Sequence, residues 1–164
     1  MIEISNGCYI IGFDNGYQFG KTANFMFDNG VFPLGKVEPS VREHSLKFER
    51  KYYKVAEGRA AITEDKVSDE NARLLTMVAI AKELSVVGVT KADIILAVGL
   101  PFSDFGREKK VLIQYYEEKP VLKYEFEGIK YDITVEQDFT SYYDSISYPS
   151  AVITPNKVLK RTLK

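Results

Sequence analysis

The sequence predicts an α/β domain on a mixed sheet, in which an antiparallel three-strand meander is joined by crossover helices to a buried central strand. Three observations carry that reading. Stretches of alternating apolar and polar residues are broken by Asn15-Gly16 and Asn29-Gly30, and Asn-Gly tolerates positive φ at both positions of a tight hairpin turn. A long apolar helix pattern occupies 71–87. A near-continuous apolar run follows at Ala92–Val98, the pattern of a strand covered on both faces. Strands, helix, strand, helix, strands is neither an all-β order nor a simple βαβ repeat.

The first strand is expected over Cys8–Asp14, the second over Gly20–Phe27 and the third over Val31–Val37. Glu38–Ser45, with Pro39 and the lone His44, reads as a loop. Leu46–Glu49 and Tyr52–Ala56 then form a short hairpin turning at Arg50-Lys51, and Gly58 ends it. Ser68 is the expected N-cap of the helix, and Asp69 and Glu70 lie in its first turn, where the helix dipole favours anions. Gly88 is its natural C′ residue. Leu74, Leu75, Met77, Val78, Ile80, Ala81 and Leu84 cover more than one stripe, so the helix should be covered on more than one side. After Ala92–Val98, Gly99-Leu100-Pro101 makes a sharp exit. Phe105–Glu118 is an amphipathic helix, Val121–Glu125 and Ile129–Val135 a hairpin turning near Glu127-Gly128, and Asp138–Tyr143 one more strand. There is no internal repeat or low-complexity tract.

At 164 residues the chain has the size of one ordinary domain, and 45% hydrophobic with 13% aromatic residues is enough for a sizeable core. A net charge of −1 lacks the basic balance of a general nucleic-acid binder. Cys8 is the only cysteine, so no internal disulfide forms, and a reducing, cytoplasmic setting is the simple reading. No apolar run approaches the roughly 20 residues of a membrane span, and the start lacks the basic and apolar regions of a signal peptide. Charge is uneven: Lys157, Lys160, Arg161 and Lys164 fall in a tail at 150–164 with no acidic residue, leaving the rest of the chain net acidic. The tail reads as a mobile basic end.

Chemistry concentrates at the first turn. Asp14 ends an apolar strand, so its side chain points out at the sheet edge. Magnesium keeps several waters and takes few carboxylates, which a strand-tip aspartate can supply directly or through water. Asn15, Gly16, Tyr17 and Gly20 surround the turn, and glycines let backbone N–H groups approach phosphate oxygens. Lys21 adds a compact positive charge suited to phosphate. Spacing alone leaves open an equally simple reading, a plain hairpin turn beside a solvated lysine. No Gly-x-x-x-x-Gly-Lys-Ser/Thr loop and no dinucleotide fingerprint is present.

Ile11-Gly-Phe-Asp-Asn-Gly-Tyr-Gln-Phe-Gly-Lys-Thr-Ala-Asn24 resembles the first phosphate loop of the actin-like ATPases, and most closely the bacterial ParM/StbA type of plasmid-segregation actins. Glu57-Gly58, 65–71, 75–84 and Ala97-Val-Gly-Leu-Pro101 agree in the same order, over about residues 8–145. The resemblance implies an actin-like, ribonuclease-H-like domain over 1–149, with a small inserted subdomain around 38–60 and the tail following. It implies Mg2+ with ATP or GTP: Asp14 positioning the metal and its waters, Lys21 contacting the phosphates, and the turn at Asn15–Tyr17 cradling them. It also implies filaments formed with copies of itself or with full-length actin-like subunits, and an adaptor coupling them to plasmid DNA. The family's cleft closes between two such domains. The second phosphate loop and the adenosine segment are not found here, so the expectation is a first domain standing alone, with weak affinity and slow hydrolysis. Gln137 and Asp144 are candidates by position for orienting the attacking water, and neither is assigned.

Two other readings compete. A non-enzymatic domain that joins, caps or regulates actin-like filaments would use the broad apolar face of the 69–87 helix. A single-strand nucleic-acid binder would stack bases on Tyr52, Tyr53, Tyr124, Phe126 and Tyr131, although core packing explains strand aromatics more simply. His44 has no Cys or His companions at metal spacing, so a zinc site is not expected.

Overall fold

The computed structural model describes residues 1–5, 7–16, 18–58, 70–99, 105–136, 139–141 and 153–155. Its framework starts with β1 (Ile2–Ser5), which the sequence pattern does not announce, paired antiparallel with the beginning of β2 (Cys8–Asn15). Along β2, Tyr9, Ile11 and Phe13 are buried while Gly12 and Asp14 are exposed. That two-residue alternation puts the apolar set on one face of the sheet and Asp14 on the other.

The expected second strand, Gly20–Phe27, is two strands, β3 (Phe19–Lys21) and β4 (Met26–Asp28). A turn divides them, closed by the Thr22 N–H donating to the Phe25 carbonyl at 2.8 Å. The antiparallel meander is therefore present, but it runs β2-β3-β4. β5 (Val31–Gly35) lies at the opposite edge of the sheet, paired with β7 (Lys51–Val55). Asn29-Gly30 is accordingly not a hairpin turn. The Gly30 N–H donates to the Gly58 carbonyl at 2.9 Å, and a side-chain carbon at Gly30 would collide with the Glu57 carbonyl oxygen. Glycine is required there because two backbones touch.

β6 (Ser45–Phe48) and β7 form the expected short hairpin, turning at Glu49-Arg50, one residue earlier than the pattern suggests. Both residues have positive φ, 47° and 65°, the primed geometry that matches strand twist in a two-residue loop. β6 also pairs with β9 (Val121–Phe126), so this hairpin, within the segment expected as an inserted subdomain, continues the main sheet.

α1 (Glu70–Ser85) ends in a Schellman motif: Val89 N–H donates to the Leu84 carbonyl, Gly88 N–H to the Ser85 carbonyl, both at 3.2 Å, and Gly88 has φ 68°. The expected N-cap, Ser68, and Asp69 lie outside the described residues. Every residue from Leu74 to Leu84 is buried except Lys82, which is half-buried, and each large side chain so covered contributes about 1.5–3 kcal/mol. The chain itself covers the helix. The sheet lies on one side, and α2 (Phe105–Glu118) reaches it through Tyr116, buried beside Thr76, and Tyr115, whose ring centre lies 4.6 Å from the Arg73 guanidinium. The apolar face proposed for a filament partner is thus internal.

β8 (Lys91–Val98) lies between β2 and β10 (Ile129–Val135), parallel to both. β9 and β10 turn at Glu127-Gly128, both with positive φ. The sheet order is β4-β3-β2-β8-β10-β9-β6-β7-β5, with β1 beside β2. Tyr124 and Tyr131 stack with ring centres 5.3 Å apart and donate to the Met77 and Ala81 carbonyls of α1. Together with Tyr52, Tyr53 and Phe126 they are buried, which removes the base-stacking reading. β11 (Phe139–Ser141) and β12 (Ile153–Pro155) pair antiparallel. β12 falls inside the stretch expected to be a mobile tail, most of which lies outside the described residues.

Candidate functional site

In open α/β sheets ligands bind beyond the carboxyl ends of the parallel strands. Here that end is formed by Asp14 and Asn15, closing β2, and by Gly99, just after β8. The Gly99 N–H donates to the Phe13 carbonyl at 3.0 Å, tying the two strand ends together. The Asp14 carboxylate leans over Gly99: a side-chain carbon there would lie 3.2 Å from Asp14 Oδ1.

β3 brings Lys21 directly opposite Asp14, and Gly20 opposite Asn15. Residues opposite one another in an antiparallel pair point to the same face. Asp14 and Lys21 therefore project together from the face away from α1, and both are exposed. A carboxylate and an ammonium side by side at the carboxyl end of a parallel sheet can hold a hydrated divalent cation and the phosphate oxygens it carries.

The glycines divide by role. The first turn is not at Asn15-Gly16 as the pattern suggests: Asn15 belongs to β2, opposite Gly20, and neither residue has positive φ. Gly16 opens the turn instead: its N–H donates to the Phe19 carbonyl at 3.0 Å, and a side-chain carbon would sit 2.9 Å from that same oxygen. That N–H is thus engaged within the turn and does not face outward as expected. Buried Asn29 braces the same turn from below, donating from Nδ2 to the Gly16 carbonyl at 2.8 Å and from its backbone N–H to the Gln18 carbonyl at 3.2 Å. Gly20 is buried against the stacked rings of Phe13 and Phe27, which a side-chain carbon would approach within 2.8–2.9 Å. Its missing side chain makes room for those rings and opens no space toward a ligand. Asn15 is half-buried. Tyr17, Gln137 and Asp144 lie outside the described residues.

Two further groups complete the hairpin. Glu83 of α1, fully buried, accepts hydrogen bonds from the Thr22 hydroxyl and, at 2.8 Å each, from the Asn24 N–H and side-chain amide. The ammonium group of Met1 lies 3.1 Å from the same carboxylate. Burial pushes the Glu83 carboxyl pKa up, but these donors outweigh it and hold it below the ordinary carboxylate range. Neither Glu83 nor Asn29 was singled out from the sequence. The available signal for Glu83 was a carboxylate inside the run Ile80-Ala-Lys-Glu-Leu84, where apolar neighbours on both sides imply a buried charge that must find donors.

Among the described residues no three His, Cys, Asp or Glu side chains gather as a metal set. A single strand-end carboxylate fits a hydrated magnesium ion brought in with phosphates better than it fits a protein-caged metal. A concavity of about 460 Å³ lies elsewhere, around the starts of β8 and β10, lined by Lys47, Lys91, Lys123 and Asp132 among others, and includes no residue of the hairpin. Among the described residues no helix is long and apolar enough to cross a membrane.

No protein-family model and no curated protein matches the chain. Solved structures do. AlfA from the Bacillus subtilis plasmid pLS32, in a filament structure, superposes with a TM-score of 0.61 at 14% identity, over 94% of this chain and 77% of that one. An AlfA filament bound to AMPPNP gives 0.59 at 14%, over 79% and 52%. Apo ParM of pSK41 gives 0.58 at 16%, over 79% and 48%. The chain thus spans about half the length of the pSK41 ParM chain. At these identities the likeness is one of fold: the chain has the actin-like fold of the ParM and AlfA proteins, as the sequence resemblance implied.

Proposed function

We propose that this chain is the nucleotide-binding part of a filament-forming, cytoplasmic actin-like protein of plasmid DNA segregation, and that it grips the phosphates of Mg-ATP or Mg-GTP at the 14–21 hairpin. The observation that carries the proposal is the cross-strand pair Asp14–Lys21 at the carboxyl ends of β2 and β8 in an actin-like fold. Asp14 would hold the hydrated cation through water, and Lys21 would meet the phosphate oxygens. The backbone of 15–17 would cradle the phosphates alongside them, with Gly16 and Gly20 shaping the hairpin from within. The bound cation would supply charge neutralisation at the phosphates. The AMPPNP in the AlfA filament supports nucleotide as the ligand, and the filament state of AlfA supports association with further copies. A DNA-bound adaptor is the partner this reading calls for.

Calorimetric titration of the full chain with Mg-ATP and Mg-GTP tests the site, with Asp14→Ala and Lys21→Ala as controls. Binding by the wild type that drops about tenfold or more in each variant supports it. A folded wild type that binds neither nucleotide, or variants that bind as well as it does, would overturn it. Light scattering with and without nucleotide then reads filament formation.

A further inference from the structure

We infer that Glu83 is a positioning residue for the phosphate hairpin: from the C-terminal end of α1 it latches the Thr22–Phe25 turn and so sets the direction in which Lys21 leaves β3. This rests on the reading of the hairpin given above.

The setting of Glu83 is costly in two ways. An ionised carboxylate loses its hydration on burial, and near the C-terminus of a helix it faces the negative end of the dipole. An apolar side chain would satisfy packing in a helix otherwise filled with leucine, methionine and alanine. Buried ionic groups of this kind are weak sources of net stability, and their best-attested use is to fix one geometry among several. What Glu83 fixes is specific. Thr22 Oγ1 accepts the Phe25 N–H at 3.1 Å while its one hydroxyl hydrogen goes to Glu83 Oε1. Asn24 reaches both carboxylate oxygens, with its backbone N–H on Oε1 and its amide on Oε2. Both sides of the turn are thereby tied to one rigid helix.

The hairpin needs such a tie. β3 and β4 have three residues each, β4 is the sheet edge, and strand pairing this short is marginal. The neighbouring Lys82 adds to the same contact, its ammonium 5.8 Å from the ring centres of Phe25 and Phe27 on the turn and on β4. Lys21 immediately precedes Thr22, so a change in the tilt of the turn moves the lysine while Asp14, held on β2, stays in place.

The test combines amide hydrogen exchange with Mg-ATP titration on the full chain for wild type, Thr22→Val, Thr22→Ser and Asn24→Ala. Valine keeps the shape of threonine at a half-buried position, and Asn24 is exposed, so one variant can stand in if the other misfolds. The expected result is exchange over 19–28 faster by about tenfold or more in Thr22→Val and Asn24→Ala, with α1 amides at the wild-type rate and recovery in Thr22→Ser. Mg-ATP affinity should fall about fivefold to tenfold in the same two variants and recover in Thr22→Ser. Unchanged exchange over 19–28 would overturn the inference. So would hairpin and helix loosening together, the mark of a merely structural role, or unchanged affinity in a hairpin that has loosened. A wild type that binds no nucleotide sinks the phosphate-site reading instead, and the latch then stands or falls on the exchange pattern alone.

Discussion

The carboxylate of Asp14 occupies the space that a side chain at Gly99 would fill, its Oδ1 lying 3.2 Å from where that carbon would stand. Gly99 is not among the residues with positive φ, so its backbone would accept alanine, and steric room toward Asp14 is what glycine provides. Gly99→Ala should therefore leave the fold intact and push the carboxylate off its position. The expected outcome is a circular-dichroism melt close to wild type with Mg-nucleotide affinity weaker by about fivefold to tenfold, roughly 1 kcal/mol. An affinity equal to wild type would separate Gly99 from the site.

Gly20 gives the opposite result. A methyl group there meets the rings of Phe13 and Phe27 within 2.8–2.9 Å, and the rings are already stacked 6.0 Å apart. Overpacking of this sort costs about 1–3 kcal/mol. Gly20→Ala should lower the urea midpoint, and the smaller side chain in Gly20→Ala/Phe27→Leu should restore part of the loss. Additive losses in the double variant would mean that the clash is relieved some other way.

The contrast between these two glycines marks how far the sequence can be read. Elements whose signal is local were legible: the all-round apolar run and C′ glycine of α1, the apolar run of β8, the bounds of α2 and the turn at Glu127-Gly128. That Asp14 and Lys21 share one hairpin was legible too, because a turn between two strands is a local fact, but their facing depends on the turn opening at Gly16 and not at Asn15. What escaped depends on contacts between distant residues. Asn29-Gly30 carries the composition of a hairpin turn, yet Gly30 is glycine because the backbone of Glu57 and Gly58, far along the chain, presses on it. Gly20 looks like a phosphate glycine until Phe27 is seen to fold back over it. Thr22 broke the expected second strand because Glu83, 61 residues away, holds its turn. A strand pattern cannot register that partner.

Tyr53 offers a test at alkaline pH. Its hydroxyl donates to Glu70 at 2.9 Å, and burial, with the Glu70 carboxylate, pushes its pKa up from 10.0 to about 12. The neutral phenol is the form the fold prefers, so its contribution to stability is fully present below about pH 10 and is lost as pH rises toward 12. Between pH 9 and 11.5 the wild type should lose more thermal stability than Tyr53→Phe. Parallel losses in the two proteins would show that Tyr53 does not carry this linkage.

Glu83 predicts the acid limb. Burial pushes its carboxyl up, but the donors from Thr22, Asn24 and Met1 prefer the ionised form and hold its folded pKa below the ordinary carboxylate range. For a carboxyl shifted down, the unfolded chain binds the proton first as pH falls. The stabilisation is therefore complete above the ordinary value and disappears as pH drops through the folded one. Glu83→Gln keeps the size but sets an amide N–H₂ against donors, so at neutral pH it should cost about 1–3 kcal/mol. The gap between wild type and variant should then narrow as pH falls through and below the ordinary carboxylate range, as the wild-type carboxyl takes up its proton and loses the same interactions. Urea unfolding of both proteins from pH 7 down to pH 3 measures it. A gap that stays constant across that range would mean that folding does not shift the Glu83 carboxyl, and a gap that widens as pH falls would mean that the folded protein holds it protonated; either overturns the prediction.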